Sequence, residues 1–402
     1  MKKYDVVIVG GGMVGMAAAV ALATAGIHSA VIERIPHPAQ LNSQFDGRTA
    51  AISLGTKRLM DSIGAWEFMA PHAQPINDIR VVDGDSSLFL HYDHREVGNE
   101  PFGWIIENRI IREALFKRGD TLKEISIFAP HSAEDITITP SSAQVTLDDG
   151  QILQAPLLIA ADGKFSAVRK KIGIATTTIP YNQTALVCTI AHSEPHNGLA
   201  LERFLPIGPF AVLPMQHNRS SLVWTESADS AAAMLQLNDE DFAAEITRRV
   251  GSYLGEISLA GPRFSYPLTL VHAEHYTTHR AALVGDAAHG IHPIAGQGVN
   301  LGFRDVAALT EILCDAKRLG GDIGFETTLA AYNRWRALDA FAMVSVTDGL
   351  TRLFSNNIVP LRIARRLGLG AVGKMPPVKR FFMRHAMGLE GDLPKLMRGE
   401  TL

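Results

Sequence analysis

Tyr4-Asp5-Val6-Val7-Ile8-Val9-Gly10-Gly11-Gly12-Met13-Val14-Gly15 decides how the rest of this chain is read. Its first half is a short β-branched run suited to a strand buried in a parallel sheet. Its second half satisfies G-x-G-x-x-G and leads into small residues that predict a helix over about Met13–Ala25, with Gly26 placed to end it. Ser29–Ile32 predicts the next strand, closed by Glu33. Gly10 permits the tight turn, Gly12 lets a pyrophosphate come against the backbone, and Gly15 lets the helix pack close to the sheet. The helix N-terminus offers unpaired N–H groups and the positive end of its dipole to phosphates. Glu33, about 20 residues beyond the motif, is suited to accept hydrogen bonds from the ribose hydroxyls of an adenosine. The order of these parts predicts a dinucleotide-binding unit with contacts at Gly10, Gly12, Met13, Val14, Gly15, Glu33 and Arg34. The motif alone does not choose between NAD and FAD.

Two later stretches narrow the choice. The apolar strand Leu157–Ala161 runs into Asp162-Gly163-Lys164-Phe165-Ser166-Ala167-Val168-Arg169. The strand Ala281–Val284 closes on Gly285-Asp286-Ala287-Ala288-His289, followed by Pro293, Gly296-Gln297-Gly298, Asn300 and Asp305. With the opening motif, these stretches resemble the class A flavoprotein aromatic hydroxylases, a group that includes para-hydroxybenzoate hydroxylase and the ubiquinone-biosynthesis hydroxylases. The three motifs stand in the family's order and cover the chain from about residue 4 to 310. Asp46-Gly47-Arg48-Thr49-Ala50-Ala51-Ile52-Ser53, Gly285 to Pro293 and Gly296 to Gly302 look like the ubiquinone branch. The resemblance implies FAD held noncovalently and NADPH or NADH as electron donor. It also implies hydroxylation of a ring carbon of a polyprenylated phenol by O2 through a flavin C4a-hydroperoxide.

The residues themselves fit that chemistry. Asp286, at the C-terminal end of a strand, is an acceptor-only carboxylate suited to a ribityl hydroxyl. The glycines at 296 and 298 expose backbone N–H groups and open a predicted helix over about Val299–Cys314, whose N-terminus would stabilise negative charge on the flavin ring. Pro293, Gly296, Gly298, Val299 and Asn300 are therefore candidate contacts. Asp162 is either a further contact or a cap for its own turn. By resemblance Arg48 reaches the FAD, the alternative being a solvated surface arginine, and Asn108 stands where many relatives carry a cofactor-binding glutamine. Arg112 reads as a helix-surface residue. His289 and His292 are either contacts or packing residues. No side chain stands out as a catalytic base.

The cofactor-binding segments fall at about 1–75, 100–180 and 270–345. Between them, at 76–99 and 181–269, short runs rich in β-formers predict the sheet of a substrate domain: Ile79–Val82, Leu88–His91, Leu186–Ala191, Phe210–Leu213 and Ser221–Trp224. Phe204, Phe210, Trp224 and Tyr266 either line an aromatic pocket there or form plain sheet core. The fold class expected is α/β: a Rossmann-type FAD-binding domain, an inserted β-sheet substrate domain and a basic helical segment at 346–402. From Gly349 to Leu389 there is no Asp or Glu, yet Arg352, Arg362, Arg365, Arg366, Lys374, Lys379, Arg380 and Arg384 alternate with apolar residues. Such a segment suits an anionic membrane surface, an acidic partner in a ubiquinone-biosynthesis complex, or a packed helix pair with solvated charges.

The net charge of −3 over 402 residues gives no reason to expect nucleic acid as a partner. Cys188 and Cys314 lack metal-ligand spacing, so neither a metal site nor a disulfide framework is expected, and a reducing compartment is. Lys2 and Lys3 precede an apolar run, but the run ends in the glycine motif and does not read as a signal peptide. No stretch reaches the ~20 apolar residues that span a bilayer. A cytoplasmic protein is expected, at most peripheral to the inner face of the membrane. Two rival functions share these features. One is a flavin epoxidase or isoprenoid reductase, and the other is a flavin-binding subunit that docks partners through its basic C-terminus.

Overall fold

All four residues of the opening strand, Val6–Val9, are buried, as a parallel strand covered on both faces requires. The computed structural model describes residues 3–41, 45–291, 296, 298–354, 360, 365, 368 and 370–402, the side chains of 342–348 and 350–352 excepted. In it the opening strand lies between Leu157–Ala160 and Ser29–Ile32, both parallel to it. Ile125–Phe128 and Ala281–Leu283 extend the parallel sheet on either side, and Thr277–Thr278 closes one edge antiparallel. The predicted helix spans Met13–Thr24 and is buried continuously from Gly15 to Ala23. It is wedged against helices Asn108–Asp120 and Gly298–Arg318, and its alanines leave room for that close approach. Strands Val6–Val9, Leu157–Ala160 and Ala281–Leu283 therefore deliver the three glycine-bearing turns at one edge of the sheet, the carboxyl end where open α/β sheets bind ligands.

The second large sheet has nine strands, with Thr176–His192 paired on one side to Phe264–Ala273 and on the other to Arg219–Ser227. Pro209–Met215, Leu199–Phe204, Asp78–Asp83 and Phe89–Asp93 continue it in that order. All five runs read as strands from sequence fall within it, the second beginning one residue late at Phe89. Its far end is joined to the cofactor half by His289–Gly290, which pairs with Val271 and His272. One face is covered by helices Ala228–Gln236 and Asp239–Val250, where Phe210, Trp224, Phe242 and Ile246 pack together. A three-stranded sheet, Thr49–Ser53, Gly103–Glu107 and Gln74–Ile76, touches helix Gly298–Arg318 on one side and strand Pro209–Met215 on the other.

The C-terminal part contains helices Glu326–Phe354, Pro376–Ala386 and Lys395–Arg398. Among the described residues no helix is long and apolar enough to cross a membrane. Cys188 and Cys314 are both buried and unpaired.

Candidate active site

The glycine turn is shaped by what cannot fit. A Cβ at Gly10, which has φ +103°, would lie 2.4 Å from the Ala161 carbonyl oxygen, and one at Gly15 would lie 1.8 Å from that of Gly10. Gly12 differs: a Cβ there would meet nothing within 4 Å. The space above it adjoins the N-terminus of helix Met13–Thr24, whose first-turn amides no side chain caps. Glu33 reaches back across the turn, its Oε2 accepting from Gly11 N–H at 2.7 Å and its Oε1 from Ile35 N–H at 2.9 Å. Each oxygen keeps capacity for a sugar hydroxyl. Arg34 is exposed beside it.

The Asp162 carboxylate shapes its own turn, accepting from Ser166 Oγ at 2.5 Å and from Val168 N–H at 3.1 Å. Arg169 then fastens this turn to the next motif, donating to the Ala287 carbonyl at 2.7 Å and to that of Lys164 at 3.0 Å. Sequence reasoning quoted Arg169 but gave it no task. The signal was available in its type, since a guanidinium can serve two loop carbonyls at once.

Gly285 donates its N–H to Asp305 Oδ2 at 2.9 Å. The same carboxylate accepts from His289 Nε2 at 2.6 Å and Arg336 Nε at 2.8 Å, and all three residues are fully buried. Burial alone would raise the pKa of Asp305, but the charges and hydrogen bonds of His289 and Arg336 outweigh it and hold the carboxyl below its ordinary value. His289 is thus a buried packing and hydrogen-bonding residue. The adjacent Asp286 is its opposite. Its side chain opens to solvent in the cleft yet is hemmed in by protein, and desolvation raises its pKa against the pull of His289, Lys164 and Arg48. No described residue donates a hydrogen bond to it.

Arg48 pairs with Asp46 at 2.6 Å and lies 5.7 Å from the centre of the Tyr266 ring. Its carbonyl accepts from the N–H of Asn108 at 3.0 Å. The Asn108 side-chain carbonyl oxygen is buried with no hydrogen-bond partner among the described residues. Gly296 faces Ala51, with 3.1 Å between the two Cβ positions. The helix expected from Val299 to Cys314 runs from Gly298 to Arg318. The Asn300 side chain is engaged within the protein: its amide donates to the Ala51 carbonyl at 2.7 Å and its oxygen accepts from Ser53 N–H at 3.0 Å. It ties the helix to strand Thr49–Ser53, leaving its place in the helix's first turn as its link to the cleft, beside half-buried Val299. Pro293 and His292 lie outside the described residues.

These groups fit FAD. The orphaned buried acceptor on Asn108 is a polar feature that a folded protein rarely leaves unsatisfied, and the open space above Gly12, the uncapped helix N-terminus and the unbonded carboxylate of Asp286 are free to meet a ligand.

Next to Gly296 and strand Thr49–Ser53 a cavity of about 600 Å³ opens onto the uncovered face of the nine-stranded sheet. It extends to Leu353, Phe354, Val372 and Phe382 of the C-terminal part. Its walls are almost wholly apolar; the polar side chains in them are Thr49, Ser53, Tyr92, Glu202 and Arg365. Arg365 is buried, bonded to the Leu353 carbonyl at 2.6 Å and to Asp83 at 3.2 Å. Of the four aromatic candidates, only Phe204 lines the cavity, stacked on Phe354 at 4.1 Å. Phe210 and Trp224 belong to the core on the other face, and the Tyr266 hydroxyl donates to the Asp46 carbonyl at 3.3 Å.

A dinucleotide cleft at the strand ends, with an apolar chamber between it and a β-sheet, defines an FAD-dependent oxidoreductase of the aromatic-hydroxylase architecture. The FAD binding domain family matches residues 3–347. The fold superimposes on p-nitrophenol 4-monooxygenase PnpA from Pseudomonas putida DLL-E4 with a TM-score of 0.80 at 20% identity, covering 97% of this chain and 98% of that one. Ubiquinone hydroxylase UbiL of Rhodospirillum rubrum is 50% identical over 100% of this chain and 94% of its own length. The 3-demethoxyubiquinol 3-hydroxylase of Escherichia coli is 35% identical, over 96% and 99% respectively. The zebrafish (Danio rerio) mitochondrial ubiquinone biosynthesis monooxygenase COQ6 is 34% identical, over 96% and 90%. The chain belongs to the ubiquinone-biosynthesis hydroxylases, a family of FAD-dependent monooxygenases.

Proposed function

We propose that this protein hydroxylates an aromatic ring carbon of a polyprenylated phenol in ubiquinone biosynthesis, using O2 and NADPH or NADH. The observation that carries the reading is the apolar cavity of about 600 Å³ that begins beside Gly296 and ends among the C-terminal helices. It is suited to a small ring at one end and a hydrocarbon tail at the other. FAD, when bound, supplies the activation of O2 and the transfer of one oxygen atom. The protein's own residues hold and shield that chemistry. Gly10, Gly12, Gly15 and the first-turn amides of Met13 and Val14 bind the pyrophosphate, Glu33 the adenosine ribose, with Arg34 at its rim. Arg48, Asn108 and Asp286 serve the remaining polar groups, within a frame held by Asp162, Gly285 and Asn300. The first turn of helix Gly298–Arg318 favours negative charge beside it. The cavity walls keep water from the reacting ring. With no second glycine-rich nucleotide motif in the chain, the nicotinamide donor visits transiently.

Such a substrate resides in a bilayer. Helix Pro376–Ala386 leaves Phe381 53% and Phe382 42% exposed, and Phe382 also lines the cavity. Exposed Lys374, Arg380 and Arg384 flank them. We propose that this helix rests on an anionic membrane surface and admits the tail.

The test is aerobic turnover of FAD-loaded protein with NADPH, 2-farnesylphenol and ¹⁸O2. One labelled oxygen on the ring, lost in Asp286→Ala, is the expected result. Label on the side chain would indicate an epoxidase, and a reduced, unlabelled product an isoprenoid reductase.

A further inference from the structure

Glu202 has no place in the cofactor cleft, yet it is the one carboxylate among the described residues of the cavity wall. It lies in strand Leu199–Phe204, where Ala200, Glu202 and Phe204 line the cavity at the period of two that puts strand residues on one face, while Leu201 borders the cavity too but packs in the core on the helix-covered face. Its neighbour Arg203 lies 3.6 Å from Asp85 instead. Across the strands, Glu202 stands in register with Val81 and Ala211, and the row continues to Leu90 on one side and Val223 on the other. All of these face the cavity. Two strand spacings separate Glu202 from Val223, about 10 Å, a distance that a phenol ring and a glutamate side chain bridge together. Two residues before Val223, Ser221 accepts a hydrogen bond from Thr49 at 3.0 Å, on the strand that packs against Gly296. The row thus leads from Glu202 towards the cofactor end of the chamber.

Among the described residues nothing hydrogen-bonds the Glu202 carboxyl. A polar side chain facing an apolar chamber without a partner is costly to keep and is explained if a ligand supplies the partner. We propose that Glu202 is the catalytic base of the reaction, its carboxylate taking the proton of the substrate's phenolic hydroxyl. The O–H bond breaks, the proton goes to a Glu202 oxygen, and the electron pair stays on the phenolate, raising the electron density of the ring that must attack the oxygen donor. The transfer moves one negative charge across a hydrogen bond without adding another to the apolar chamber.

Burial pushes the Glu202 carboxyl up to about 7, which suits a base working near neutral pH. The other polar groups of the wall are otherwise engaged. Burial drives the Tyr92 hydroxyl well above its ordinary pKa, and Arg365 is bound to Asp83 and Leu353. The Thr49 hydroxyl is spent on Ser221, and Ser53 Oγ caps helix Leu54–Ser62.

This role rests on the substrate being a phenol, and the experiment separates the two ideas. FAD-loaded wild type, Glu202→Gln and Glu202→Asp are compared with 2-farnesylphenol from about pH 6 to about pH 9. The rates of FAD reduction and of ring hydroxylation are both recorded. Because a base titrating at about 7 takes a phenol proton only as the ring attacks, wild type is expected to show a hydroxylation rate that rises with pH through about 7. Glu202→Gln should lose that rise and about 100-fold in rate, with KM changed less than about threefold and FAD reduction unaltered. Glu202→Asp should recover part of both. A Glu202→Gln enzyme with wild-type rate and pH profile would overturn the role of Glu202 alone. Wild type that reduces its FAD yet hydroxylates no phenol would overturn the phenol reading, and this role with it. Should Glu202→Gln fail to hold FAD, wild type decides: a hydroxylation rate that is flat from about pH 6 to about pH 9 sinks the proposal.

Discussion

In the cofactor cleft, position is set by groups that are absent or fully paired. Gly10 and Gly15 leave no room for a Cβ, Arg169 bridges two turns, and Asp305 takes hydrogen bonds from Gly285, His289 and Arg336. A few ångströms away the cavity is set by apolar side chains on strands, with little hydrogen bonding to hold any one of them. The first region is rigid and specific to one ligand, because its polar geometry works only when every partner is in place. The second is tolerant, because apolar contact is non-directional. A hydroxylase of this kind needs both, a cofactor held to a fraction of an ångström and a tail merely kept dry.

The contrast can be broken experimentally, most forcefully at Asp305. Asp305→Ala leaves buried Arg336 with Asp339 as its remaining carboxylate and takes the acceptor from His289 Nε2, which should cost about 3 kcal/mol. Calorimetry should show the melting temperature falling by roughly 4 °C together with loss of bound FAD, whereas Val223→Ala in the cavity should cost less than half as much. Next in size is Gly12→Ala, for which the protein has space. The apoprotein's melting temperature should stay within about 1 °C, while FAD affinity, measured by fluorescence quenching, falls at least about tenfold. Equal loss of both would mean that Gly12 serves the fold and not the cofactor.

Ala211→Leu sharpens the comparison from the other side. It narrows the chamber and should raise KM for 2-farnesylphenol by about fivefold with FAD binding unchanged. An unaltered KM would move the tail elsewhere. The smallest effect is on stability against pH. The Glu202 carboxyl in the folded chain titrates at about 7, above its ordinary 4.5. Its stabilising contribution is therefore fully present below about pH 4.5 and lost as pH rises through about 7. Glu202→Gln apoprotein should melt roughly 2 °C higher than wild type at pH 8 and equally at pH 5.

The two regions also differ in how far they can be read from sequence. Glycines forced by sterics, and an acid at a strand end, act through the backbone within a few residues, so the opening βαβ unit and the exposed Asp286 were legible. The side-chain bonds of Asn300 were not legible because its partners, Ala51 and Ser53, are some 250 residues distant in the chain, and nothing local shows that its amide is spent. The cavity was nearly silent. In Leu201-Glu202-Arg203-Phe204 adjacent residues must point to opposite faces, but which of the two charges faces inward depends on the helices that cover one side of the sheet. The same ambiguity left Phe204 and Phe210 indistinguishable until one proved to line the chamber and the other to lie beneath helix Asp239–Val250.

The chamber's floor and roof come from different parts of the chain. Its floor is the sheet, and its far end is closed by Leu353, Phe354, Val372 and Phe382 of the C-terminal part, fastened to the sheet by the buried pairing of Arg365 with Asp83. A change of tail length can therefore be accommodated by mutation of the roof without disturbing a single group that holds the cofactor. In evolutionary terms, such an enzyme can diversify its substrates while inheriting its chemistry intact.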